Sequence, residues 1–201
     1  VGRGGAVEGV PWWGVVSAAA APVVLVGGWT WAAGRQPGGF DPVAESISAL
    51  AAHDAADRWL MTAALLALGV CHATTAAALR PAAVTGRVVL GAGGVATVAV
   101  AMFPLPAQGG SVAHALAAAV AFGALATWPA LAGRRGVLSR YRLSTAAGRG
   151  AAVVLLALLG WFLAEVTGGG SHLGLAERLT AAAQALCPLT LVLILTRQPR
   201  R

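Results

Sequence analysis

No Asp, Glu, Lys or Arg occurs between Arg87 and Arg134, and further charge-free runs lie between Glu8 and Arg35 and between Arg58 and Arg80. A hydrocarbon core about 30 Å thick is crossed by roughly 20 apolar residues in a helix, the conformation that satisfies its backbone polar groups within the segment. Runs of this length restrict the chain to a membrane-spanning helical bundle. Composition agrees, with 58% apolar and only 10% charged residues, where soluble domains carry about 25% charged.

The run from Val88 to Gly133 is too long for one crossing. Its middle, FPLPAQGGS at residues 103–111, holds two prolines and two glycines, which mark a turn. Six spans are therefore predicted, at about 12–33, 59–79, 88–104, 112–132, 150–166 and 175–196. The first continues past the 7–15 apolar residues of a signal-peptide core and is read as a span. All 14 basic residues are arginines. With the amino terminus inside, eleven of them fall in inner segments and three, Arg35, Arg58 and Arg178, in outer ones. Loops retained in the cytoplasm keep an excess of positive charge, so both ends are expected to be cytoplasmic, in a single domain of the cell membrane.

The arginines are scattered over several loops without a basic helix or an aromatic RNA-binding motif, which excludes nucleic acid as a partner class. Cys71 and Cys187 both lie inside apolar runs, leaving no disulfide framework and no paired metal knuckle. GAGG at 91–94 lies within a span, with no preceding strand and no following GKS or GKT; close helix packing is its expected use. The five arginines between 133 and 150 follow from the retention rule and also suit anionic lipid.

Polar residues gather in the outer segments. In the loop 35–58, Asp41 followed by Pro42 is an expected N-cap and first helical position, and Val43, Ile47 and Leu50 follow at helical spacing. A short amphipathic helix at the outer interface is expected, with a solvated connecting loop as the alternative. On the second span, Arg58, Thr62, Gly69 and His72 form one stripe facing protein, with His72 bonded to a neighbouring helix. On the sixth, Glu177, Ala181 and Gln184 share a face, turned inward because polar groups in lipid cost several kcal/mol. Glu165 ends the fifth span and His114 opens the fourth. With Asp54, Asp57 and Arg58 they lie at similar depth, as one candidate polar cluster at the outer mouth.

Carboxylates and histidines in such a cluster could hold a divalent metal and activate water, although no HExxH or HxxxH spacing occurs. Alternatively, Arg58 or Arg178 meets an anionic headgroup while small-residue helices admit an acyl or isoprenoid chain. In a third arrangement Asp57, Arg58, Glu177 and Arg178 pair with one another and only hold the helices in register.

The strings DPVAESISAL (41–50), DRWLMTAAL (57–65), FPLPAQGGS (103–111), LLALLGWFLAE (155–165) and GLAER (174–178) resemble, in order and spacing, the domain-of-unknown-function 998 family of multi-pass bacterial membrane proteins. The resemblance covers roughly residues 40–196. It implies a single six-helix domain in the cell membrane and carries no activity to transfer. The expectation is an all-α bundle with a polar outer-leaflet site for a lipid or small amphiphile, formed from Asp54, Asp57, Arg58, His114, Glu165, Glu177, Arg178 and Gln184. No cofactor or metal is assigned. Membrane lipids are the expected partners, with a protein partner or a second copy also open. The alternatives are a metal-assisted intramembrane lipid hydrolase and a structural or assembly subunit. No internal repeat or pair of broken helices points to transport.

Overall fold

The computed structural model describes residues 9–133 and 145–197. Over these residues the chain is all helical, with six helices long and apolar enough to cross a membrane: α1 (Trp12–Ala33), α2 (Trp59–Ala78), α3 (Val84–Met102), α4 (Val112–Leu131), α5 (Thr145–Gly168) and α6 (Leu173–Thr196). Four agree with the sequence boundaries to within two residues. The other two, α3 and α5, begin four or five residues earlier than predicted, because Arg87 and Arg149 lie inside helices instead of ending them. Arg87 uses its charge locally: its guanidinium donates to the carbonyls of Ala76 (2.9 Å) and Ala77 (3.0 Å), which the end of α2 leaves without intrahelical partners.

Each helix packs on its chain neighbour, and α6 returns to pack on α1, closing a ring. The helices approach closely because small residues face each other, as expected where lipid supplies no hydrophobic drive between them. A Cβ on Gly69 would collide with the Gly94 carbonyl and Val98 of α3, and one on Gly94 with Ala73 and the Gly69 carbonyl of α2. This is the packing use expected of the 91–94 glycines. α1 and α2 are also joined by a 2.8 Å hydrogen bond between the Ser17 and Thr75 hydroxyls. α5 is the outlier, with only Ala152 and Leu155 buried.

Three connections share one end of the ring, called here the loop end: the 34–58 loop, the 103–111 turn and the α5–α6 turn. The first two are joined by the His53 amide donating to the Leu105 carbonyl (3.0 Å). At the other end lie Arg80, Arg87, Arg149 and Arg197.

Candidate functional site

The 34–58 loop is closed at its neck. The Gln36 side-chain amide donates to the carbonyls of Ala32 and Ala56 and accepts from the Ala56 amide, and Arg35 pairs with Asp57 at 2.7 Å. Asp41 acts as the expected cap: its Oδ1 accepts from the Val43 and Ala44 amides at 2.8 and 3.3 Å. The expected amphipathic helix nonetheless stops after this one turn, and only a four-residue 3-10 turn, Ser48–Ala51, follows.

Partners on α6 explain the interruption. In a continuing α-helix the Ile47 amide would donate to the Val43 carbonyl. Instead it donates to Glu177 Oε2 (2.6 Å), and the Val43 carbonyl accepts from the Leu175 amide (3.0 Å). The Ser48 hydroxyl donates to Glu177 Oε1 (3.2 Å). Arg178 Nη1 donates to the carbonyls of Pro42 and Glu45, both at 2.8 Å, and to that of Gly174 at 3.1 Å. Its guanidinium carbon lies 5.8 Å from the Trp29 ring centre and 5.4 Å from that of Phe40, a stacked cation–π setting. The start of α6 thus reads the backbone of residues 42–48 and folds the loop inward over the ring. Glu177 is 3% exposed and Arg178 9%, so this latch is desolvated.

Beneath the latch lies a chamber of about 50 Å³, more than a single water needs. Ile47, Ser48 and Glu177 form its roof, while Leu25, Leu65, Val100, Ala121, Phe122 and Ala181 supply apolar wall from α1, α2, α3, α4 and α6. His72, Thr97 and Gln184 complete the polar lining. Glu177 and Gln184 are seven residues apart on α6, so the chamber extends about 10 Å along the axis at 1.5 Å per residue.

The predicted residues are used in three different ways. Glu177 and Gln184 line the chamber, and Arg178 holds its roof. Asp57, His114 and Glu165 are spent on local structure. Asp57 pairs with Arg35; His114 Nδ1 lies 2.9 Å from the Phe103 carbonyl and must donate to it, tying α4 to the end of α3; Glu165 accepts from Trp161 Nε1 (3.1 Å) and the His172 amide (3.0 Å), closing the α5–α6 turn. Asp54 is exposed, and the Arg58 side chain makes no hydrogen bond or ion pair among the described residues; its carbonyl accepts from Thr62. The mutual pairing of Asp57, Arg58, Glu177 and Arg178 is therefore replaced by bonds to Arg35 and to backbone. Among the described residues no three His, Cys, Asp or Glu side chains group closely enough to hold a metal ion.

His72 is buried as expected, but it makes no hydrogen bond to a neighbouring helix, and its Nδ1 is an orphan. Sequence reasoning missed the roof residues Ile47 and Ser48, whose contributions are a backbone amide and a small hydroxyl, and missed Thr97. The inward alanines Ala118, Ala121 and Ala181 were the available signal for a void. The five arginines between 133 and 150 lie, apart from Arg149, outside the described residues.

The chain matches, over residues 18–194, the family described as protein of unknown function (DUF998). It belongs to this family. No curated protein and no solved structure matches it. The family resemblance drawn from the five strings is thus met across most of the chain, and the six helices fit a multi-pass membrane protein.

Proposed function

We propose that this DUF998 member is a non-enzymatic protein of the cell membrane that holds a small amphiphile in the chamber under the latched loop. The observation that carries this reading is the chamber itself, a partly open cavity with mostly apolar walls inside the helical ring. Interiors are otherwise packed to near-crystalline density and keep few such voids. The site is deeper than the outer mouth and draws on fewer of the charged residues. Arg178 Nη1 is engaged by three carbonyls, its Nη2 has no partner among the described residues, and the side chain does not line the chamber, so the reading does not call on it to meet an anionic headgroup there. The arginine distribution favours the loop end outside and both chain ends in the cytoplasm.

Native mass spectrometry of the protein released from mild detergent tests the reading. The wild-type protein is expected to carry a bound species of defined mass. Ala121→Phe, which fills the chamber, and the milder Ala181→Leu are expected to lose it while still folding. A wild-type protein that flies bare, or a bound mass unchanged by both fillings, overturns the proposal. The same spectrum reports a second copy or a tightly held partner chain directly.

A further inference from the structure

Two polar atoms from the chamber-lining residues have no partner: His72 Nδ1 and Gln184 Oε1. Both residues are 1% exposed. The orientation of Gln184 is fixed, because its Nε2 donates to the Phe122 carbonyl at 3.0 Å; the reversed amide would set oxygen against oxygen. The orphan at position 184 is therefore an acceptor and nothing else. His72 in its neutral form offers one donor and one acceptor nitrogen. By helical rise His72 lies about 20 Å past the start of α2 and Gln184 about 17 Å past the start of α6, and both line the same chamber. The other polar lining groups are already engaged, Thr97 by the Gly93 carbonyl and Glu177 by Ile47 and Ser48.

Resting on the small-amphiphile reading, we propose that the chamber selects an uncharged amphiphile whose head donates a hydrogen bond, an aliphatic alcohol being the simplest member. A hydroxyl donates to Gln184 Oε1 and still has lone pairs for a His72 N–H, while its chain meets the apolar walls. A carboxylate only accepts, and would leave Gln184 Oε1 facing a negatively charged oxygen. An ether cannot donate. An ammonium donates but brings a full charge into a site whose carboxylate is already engaged, at a large desolvation penalty. Water satisfies the two atoms but not the walls, and is the competing occupant.

The test uses photoreactive diazirine probes of one short alkyl chain bearing a hydroxyl, a methyl ether, a carboxylate or an amine, with the full-length protein in lipid nanodiscs. Crosslinks are mapped by mass spectrometry. Labelling of Leu68 and Ala121 in the chamber is normalised to that of Val153 and Val154, which are exposed on α5 and report partitioning into the bilayer. One neutral hydrogen bond predicts a preference of about five-fold for the alcohol over the ether, with the carboxylate and amine lower still. Gln184→Leu and the isosteric Gln184→Met are expected to bring the alcohol down to the ether's level. Equal chamber labelling by alcohol and ether, or the highest labelling by the carboxylate or amine, overturns the assignment of the head and leaves the small-amphiphile reading standing. Labelling confined to α5 for every probe overturns both, leaving water as the occupant. Should both variants fail to fold, the wild-type ratio of alcohol to ether decides alone.

Discussion

Glu177 separates two ways a buried charge can serve a membrane protein. Were its role to neutralise Arg178, any uncharged replacement would fail alike. The geometry gives a different order. Its two oxygens accept from the Ile47 amide and the Ser48 hydroxyl, and the only ion pair among the described residues is Arg35 with Asp57. Gln at 177 keeps both bonds, its oxygen accepting from Ile47 and its amide donating to the Ser48 hydroxyl, which can rotate to accept. Ala leaves the buried Ile47 N–H unsatisfied, at a cost of roughly 1–3 kcal/mol, and takes a bond worth roughly 0.5–1.5 kcal/mol from the half-buried Ser48 hydroxyl. Glu177→Ala should therefore lower unfolding stability in bicelles by about 2–4 kcal/mol, and Glu177→Gln by about 1 kcal/mol or less. Equal losses for the two would show that charge, not hydrogen-bond geometry, is what position 177 supplies.

The 34–58 loop shows at the scale of an element why the sequence was only partly legible. Asp41, Pro42 and the apolar spacing at 43, 47 and 50 are all genuine helix signals, and the first turn forms. What ends it is a competing set of partners more than 125 residues away in the chain, offered by Leu175, Glu177 and Arg178. Local pattern cannot report such a competition. The spans were legible for the opposite reason: exclusion of charge from hydrocarbon is a property of the segment alone, although Arg87 and Arg149 show that helices outrun the charge-free runs. Depth along each helix was also readable, but position around the ring was not. Asp57, His114 and Glu165 accordingly share a level with Glu177 without sharing a site. If the latch is what folds the loop inward, its release should expose Glu45, which already lies at the surface, to a glutamate-specific protease. Cleavage follows the population of the open loop when opening is fast, so a loss of 2 kcal/mol in the latch gives about a 30-fold faster cut after Glu45. That acceleration is expected for Glu177→Ala and not for Glu177→Gln; equal rates would mean the loop is held by its neck, through Gln36 and the Arg35–Asp57 pair, instead of by α6.

For the whole molecule, the direction in which the ring faces decides on which side of the membrane the roof of the chamber lies. The helices fix that the 34–58 loop and the 103–111 turn share one end, since His53 bonds Leu105. Arg80, Arg87, Arg149 and Arg197 share the other. Moving an arginine-rich segment across the bilayer is opposed by the same rule that sorts loops generally, so the loop end should face outward. Three single cysteines, placed in a protein whose Cys71 and Cys187 are changed to Ser, can read this. Asp54→Cys replaces an exposed side chain that has no partner among the described residues, and a Cβ at Gly110 meets nothing within 4 Å, so neither disturbs the fold. Val84→Cys sits exposed at the start of α3, at the arginine end. On intact cells a membrane-impermeant maleimide should label positions 54 and 110 and spare 84, with all three labelled once the membrane is opened. The reverse pattern would turn the ring over and put the latched roof on the cytoplasmic side.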